Sequence, residues 1–195
     1  MSPQTADTTE DSAAVLHREL RRGGHCIVFA ESCTAGLIAA TLGRIPGISE
    51  WLAGSAVVYQ LSTKACWLNV DEAALKDPGP VSQVVSEQMA IGVLKKTPHA
   101  TIAASVTGHL GPEAPEELDG VAWTSVALRR DKSISVMSCR LQLDEQVPAE
   151  VVHSDSVTDA GLERRHRRQR QAVRCVLEFC VACLREQGET AESAE

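Results

Sequence analysis

The sequence predicts an α/β protein, a three-layer α/β/α sandwich around one mixed, largely parallel sheet. Apolar, β-compatible runs alternate with helical patterns through the first two thirds of the chain, the order expected when helices carry the chain between parallel strands. Two adjacent strand-like runs then follow between residues 121 and 141, which makes the sheet mixed. At 195 residues and 44% hydrophobic, the chain can bury a substantial core as one domain without a metal or disulfide staple.

Residues 13–22 read as an amphipathic helix, with Ala14, Leu16 and Leu20 apolar and Arg18, Arg21 and Arg22 polar, ended by Gly23-Gly24. An uninterrupted apolar strand covers 25–30, and a helix over 33–42 is closed by Gly43 and the turn Pro46-Gly47. The second strand, 51–59, rests on Ala56-Val57-Val58-Tyr59. Helices over 62–68 and 71–76 follow, and Asp77-Pro78-Gly79-Pro80 forces a turn before a helix over 83–95. Residues 100–106 are a buried strand, 121–129 and 133–141 a strand pair, and 169–186 the last helix. The acidic segments 1–12 and 188–195 lack apolar periodicity and are expected to be disordered tails. They leave a single domain over 13–187, with a surface loop insertion at 144–162.

Composition removes several classes of function. Aromatic residues make up 3% of the chain, which leaves few rings to stack on bases, and the net charge of −7 opposes a duplex, so no nucleic-acid partner is expected. No run approaches the roughly 18 apolar residues of a membrane span, so no membrane partner is expected either. The polar, acidic residues 1–11 carry no secretory signature, which points to the cytoplasm. Seven scattered cysteines suit a reducing compartment better than a disulfide framework. Cys180 and Cys183 have metal-like spacing, but they fall within the apolar pattern of the last helix and no second Cys or His pair stands near in sequence. Core packing is therefore their reading, and no metal is expected. The run Arg164-Arg165-His166-Arg167-Arg168-Gln169-Arg170 reads first as a solvated helix face, with a phosphate or partner site as the alternative.

Chemistry concentrates where strands end. The first strand breaks at Glu31-Ser32, and small helix-compatible residues follow, so Ser32 sits at a strand-to-helix junction whose unpaired N–H groups stabilise an anion or oxyanion. The plainer role for Ser32 is to cap that helix. Cys33 is a rival nucleophile with no base dedicated to it. Tyr59 and Lys64 follow the second strand, and Thr107 ends the third. Neighbouring strand ends in an open α/β sheet converge on one crevice, so Ser32, Tyr59, Lys64 and Thr107 are expected to meet there. A serine beside a desolvated lysine makes a nucleophile and base pair, which a tyrosine can assist as proton relay.

Taken in order, Ala30-Glu31-Ser32-Cys33-Thr34, then Pro46-Gly47-Ile48-Ser49, Tyr59 and Lys64, Val81-Ser82, Val106-Thr107-Gly108 and Gly111-Pro112 resemble the C-terminal domain of the CinA family, the nicotinamide-nucleotide amidohydrolases. The resemblance runs over residues 14–128 and resumes in the last helix. It implies an α/β/α domain, often a homodimer or higher homo-oligomer, that hydrolyses the carboxamide of nicotinamide mononucleotide, or a related small amide, to the acid and ammonia without metal or cofactor. It also implies Ser32 as nucleophile, Lys64 and Tyr59 as base and proton relay, and substrate contacts from Glu31, Cys33, Thr34, Gly36, Thr107, Gly108 and Gly111.

Three stretches depart from the family pattern. Ala35 stands where a glycine is usual, and Tyr59-Gln60-Leu61 replaces Tyr-Ser-Asn. After Gly111-Pro112 the family has a glycine-rich loop and Lys-Pro-Val-Gly-Thr-Val, whereas residues 113–119 here carry Glu113, Glu116, Glu117 and Asp119. Facing the pocket, those carboxylates would repel a phosphate, and weak turnover of nicotinamide mononucleotide is then expected. Two classes of function remain open on the sequence: an amidohydrolase, and a silent or altered-substrate homologue acting in partner binding or regulation.

Overall fold

The computed structural model describes residues 8–131, 133–143 and 157–192. Its elements are α1 (Thr8–Gly23), β1 (Ile27–Glu31), α2 (Leu37–Leu42), β2 (Leu52–Val57), α3 (Leu61–Leu68), α4 (Glu72–Lys76), α5 (Gln83–Lys96), β3 (Ile102–Gly108), β4 (Val121–Arg129), β5 (Ile134–Gln142) and α6 (Val157–Glu192). Single 3-10 turns lie at Ile48–Glu50 and Glu116–Leu118.

One five-stranded sheet, in the order β2-β1-β3-β4-β5, is covered by helices on both faces, as expected. β1 pairs in parallel with β2 and β3, while β3 with β4 and β4 with β5 pair antiparallel, so β4 alone runs against the other strands. All five residues of β1 are buried because the strand is covered on both faces. Successive side chains point to opposite sides: Ile27 and Phe29 pack into a core with α1, α2 and α6, and Val28 and Ala30 into one with α3, α4 and α5. The ends of β1, β2 and β3 stand side by side, which is what brings residues 32, 58–64 and 107 to one crevice.

Three boundaries differ from expectation. α1 begins at Thr8, so residues 8–12 of the expected tail are helical, and Ser12 Oγ donates to Glu178 Oε1 on α6 at 3.1 Å. α6 begins at Val157 and continues to Glu192, absorbing residues 157–162 of the expected loop and 188–192 of the expected tail. Its apolar stripe, from Ala172 to Leu184, is what periodicity detects, whereas the polar first turns are helical through Arg and Gln, strong helix formers without an apolar signal. The other residues of those segments, 1–7, 144–156 and 193–195, lie outside the described residues. Finally, α2 begins at Leu37 rather than at residue 33, because Ala35 and Gly36 adopt left-handed backbone, with φ of 53° and 96°. Cys180 and Cys183 are buried in the core of α6.

Gly92 sets how closely α5 approaches α3. A Cβ at this position would overlap the Leu68 carbonyl oxygen, and that contact is backbone. Gly92→Ala must push the helices apart. The expected cost is about 1–3 kcal/mol, read as a fall in Tm of roughly 2–4 °C per kcal/mol for a domain of this size; an unchanged Tm in a thermal melt would contradict the close approach.

Candidate active site

β1 ends in Glu31, whose fully buried carboxylate accepts hydrogen bonds from five donors. Oε2 receives Thr34 Oγ1 at 2.8 Å and the backbone N–H groups of Gly36 and Ile38, each at 3.0 Å. Oε1 receives Ala39 N–H at 3.1 Å and Ser55 Oγ at 2.9 Å. A buried carboxylate is tolerated only when its lone pairs are satisfied, and here the unpaired N–H groups at the start of α2 satisfy them. Glu31 therefore caps α2, whose adjacent residue Gly36 has no side chain to offer.

This frees Ser32. Instead of capping the helix, its hydroxyl accepts a hydrogen bond from Lys64 Nζ at 2.8 Å, while its backbone N–H donates to Val106 on β3 at 3.1 Å. Lys64 lies on α3 and is 1% exposed. Its amine also donates to the Val58 carbonyl at 2.6 Å and, more loosely, to that of Tyr59 at 3.4 Å. Burial pulls its pKa down to about 8. The opposing pull of a Cys33 thiolate is weak in practice, because burial pushes the Cys33 thiol up to about 12 and keeps it protonated. That state, together with the packing of Cys33 in the core, removes it as the rival nucleophile.

A cavity of about 180 Å³ opens beside the pair, lined by Ser32, Cys33, Tyr59, Leu61, Lys64, Pro80, Val81, Thr107, Gly108, His109, Leu110, Gly111, Pro112 and Arg165. Of the expected site residues it gathers Ser32, Cys33, Tyr59, Lys64, Thr107, Gly108 and Gly111. Glu31, Thr34 and Gly36 are absent from its walls; their polar groups are committed to the turn that presents Ser32, so a substrate-contacting role gives way to a positioning one. Thr107 Oγ1 donates to the Pro80 carbonyl at 2.8 Å and fixes one wall. Gly108 permits the close pairing of β3 with β4, since a Cβ there would meet the Ala122 Cβ at 2.5 Å.

Tyr59 is differently placed from the expected proton relay. Its side chain is half exposed, and its hydroxyl accepts from Arg165 Nη2 at 2.6 Å. Among the described residues no hydrogen bond joins that hydroxyl to Ser32 or Lys64; it is the backbone carbonyl of Tyr59 that meets the lysine.

The arginine run on α6 is not simply a solvated face. Arg168, 4% exposed, makes a two-pronged pair with Asp119, Nη1 to Oδ1 at 2.6 Å and Nη2 to Oδ2 at 2.9 Å. Arg164 adds a looser contact to Asp119 at 3.8 Å. The Arg168 hydrogen bond holds the Asp119 carboxyl below the usual range. Glu113, Glu116 and Glu117 are exposed and none lines the cavity. The acidic loop thus turns Asp119 to α6, and its other three carboxylates lie outside the cavity wall. Gln169 and His109 were missed by sequence reasoning, and Arg165 was named only within the basic run, as part of the alternative phosphate or partner site. Their signal was the basic run itself, whose third-and-fourth spacing places Arg165, Arg168 and Gln169 along one side of the helix. Gln169 Nε2 donates to the Cys33 carbonyl at 3.0 Å, tying α6 to the Ser32 turn.

Comparison with known proteins gives the family and the fold. Residues 9–163 match the family model of the CinA C-terminal domain. A CinA-like protein of Myxococcus xanthus (strain DK1622) is 40% identical over 121 residues, 61% of this chain and 28% of that protein. A CinA-like protein of Salinibacter ruber (strain DSM 13855 / M31) is 40% identical over 125 residues, 63% of this chain and 30% of that protein. The chain spans less than a third of the length of these curated relatives. Among solved structures, the competence/damage inducible protein CihA from Agrobacterium tumefaciens superposes with a TM-score of 0.75 at 28% identity, covering 93% of this chain and 98% of that one. A CinA superfamily protein from Klebsiella pneumoniae 700603 gives the same TM-score at 22% identity, covering 91% and 98%, a likeness of fold alone.

Glu31→Gln tests the positioning role. The amide would turn an NH₂ group toward donors it cannot accept from, leaving buried N–H groups unpaired. Loss of more than about 2 kcal/mol is expected in urea unfolding, with the Ser32 turn loosened; a midpoint equal to wild type would show that the carboxylate does not hold α2.

Proposed function

This chain belongs to the CinA C-terminal domain family, and from that premise we propose that it is a serine amidohydrolase with Lys64 as general base. The contact of Lys64 Nζ with Ser32 Oγ at 2.8 Å, inside a pocket that desolvates the amine, carries the proposal. Two carbonyls, those of Val58 and Tyr59, take two amine hydrogens. In the neutral amine the remaining position is a lone pair aimed at Ser32, which is the geometry a base requires.

The cycle follows from these atoms. Ser32 Oγ attacks the carboxamide carbon as its proton passes to Lys64. The resulting oxyanion is held by the backbone N–H of Cys33, which directly follows the nucleophile and lines the cavity. Collapse breaks the C–N bond, and Lys64 returns the proton to the departing nitrogen, which leaves as ammonia. Water then attacks the Ser32 ester, giving up a proton to Lys64. The acid departs, and the proton returns to Ser32. The family resemblance supports nicotinamide mononucleotide, or a related small carboxamide, as substrate, and a homodimer in the cytoplasm as the working form.

Ammonia release from nicotinamide mononucleotide and from a panel of primary amides tests the reading. Ser32→Ala is expected to lower kcat about 10⁴-fold or more while the protein stays folded, since one hydroxyl is lost and no buried charge is stranded. Turnover retained in this variant would remove the serine mechanism.

The protonated lysine cannot accept a proton, so kcat/KM should rise with pH and level off above a pKa near 8. Lys64→Met should lower kcat about 10²–10⁴-fold and abolish that limb. A pH profile unchanged by the substitution would take Lys64 out of the reaction.

A further inference from the structure

We infer that Gln169 is a positioning residue for acyl transfer: its hydrogen bond to the Cys33 carbonyl fixes the backbone that follows the nucleophile, and so keeps the Cys33 N–H aimed at the oxyanion formed on attack. The inference rests on the amidohydrolase reading for its reaction and goes beyond it by bringing α6 into the transition state. Gln169 Nε2 donates to the Cys33 carbonyl at 3.0 Å, across 136 residues of chain. Among the described residues that line the cavity Gln169 has no place, so its influence on a reacting group passes through the turn that carries Ser32.

Two peptide planes flank Cys33, and each is held by its carbonyl. The Ser32 carbonyl, in the plane whose N–H belongs to Cys33, accepts the Ala35 N–H at 3.0 Å. The Cys33 carbonyl, in the next plane, accepts from Gln169. The only soft backbone dihedrals between two such planes are φ and ψ of the residue they share, so pinning both planes fixes Cys33. Without Gln169 the second plane is free to rotate. A carbonyl oxygen turned toward the cavity repels a developing oxyanion where an N–H attracts it. Glu31 does not supply this restraint: its carboxylate grips the far side of the turn, through Thr34 Oγ1 and the N–H groups of Gly36, Ile38 and Ala39. Gln169 acts from a fixed base. Its neighbour Arg168 is clamped to Asp119, and Ala172 and Val173, one turn further along α6, are fully buried in the core. The donor is therefore held in place by packing before any substrate arrives.

Two probes test the role: ammonia release from nicotinamide mononucleotide, and labelling of Ser32 by a fluorophosphonate followed by intact mass. In the second, Ser32 Oγ bonds to phosphorus, the P–F bond breaks, fluoride leaves and the serine proton passes to Lys64, so the same oxyanion geometry is read without an amide. Gln169→Met keeps the length of the side chain and removes the donor. It should lower kcat about tenfold to a hundredfold with KM within about twofold, and slow the labelling by a similar factor. The pH at which kcat/KM levels off should not move, because the base is untouched. Gln169→Glu sets an acceptor against the carbonyl and should lose at least as much, whereas a side chain that only fills space would leave kcat near wild type in both variants. Hydrogen exchange over residues 31–42 should quicken in Gln169→Met while the urea midpoint shows the protein folded. A wild-type kcat in Gln169→Met, or a rise in KM in place of the fall in kcat, would overturn the positioning role and leave the amidohydrolase reading standing. Labelling of Ser32 that Gln169→Met slows, in a protein that releases no ammonia, would keep this inference and remove that reading instead; a wild-type Ser32 inert to both probes would remove both.

Discussion

The buried carboxylate of Glu31 is the interaction on which the rest of the site depends. β1 is apolar up to this residue, and the chain must then turn sharply enough to leave the sheet and start α2. Left-handed backbone at Ala35 and Gly36 makes the turn, at a cost of about 1–2 kcal/mol for the alanine. Glu31 offsets that cost by collecting donors from Thr34, Gly36, Ile38 and Ala39 onto one carboxylate, and it reaches across to Ser55 on β2 as well. Helix capping is usually the work of the residue beside the helix. Delegating it to the last residue of the strand leaves the following serine with its hydroxyl free for chemistry.

The same residue helps to place the lysine. The backbone carbonyl of Glu31 accepts the Val58 N–H at 2.8 Å, and the Val58 carbonyl in turn receives Lys64 Nζ at 2.6 Å. Pairing between β1 and β2 is thereby carried one residue beyond the end of β2 and finishes on the amine. Ser32 and Lys64 stand 32 residues apart in sequence. Their separation is set by the two parallel strands that deliver them, and such strands hold distances better than loops do.

What was legible in the sequence divides along the range of the interactions. The strand-to-helix junction at Ser32 and the arrival of Lys64 at a neighbouring strand end are local patterns combined with one topological rule, and both were readable. The start of α2 was not. Its delay of four residues depends on Ala35 adopting φ > 0, which alanine rarely does, and on Glu31 meeting a helix still several residues ahead. The hydroxyl of Tyr59 was assigned to proton relay because an aromatic beside a serine and a lysine suggests it. The partner it has, Arg165, lies 106 residues away in a run whose local reading was solvation. Asp119 looked like a charge aimed at the pocket for the same reason, since its mate Arg168 is 49 residues distant. Long-range ion pairs leave no periodicity to find.

Together these pairings sort the charges. Two carboxylates beside the site are committed: Glu31 to the N–H groups of α2, Asp119 to Arg168. Had either been free to meet Lys64, an opposite charge would have raised the amine's pKa and held it as an ammonium, useless as a base at neutral pH. Because neither is free, burial dominates and pulls the amine's pKa down to about 8. The same sorting leaves Arg165 in the pocket with neutral hydrogen-bond acceptors, and no carboxylate among the described residues pairs with it. Committing these two acids to the scaffold therefore leaves a guanidinium at the cavity wall and an amine that gives up its proton more readily than a free lysine. One distribution of carboxylates accounts for both properties.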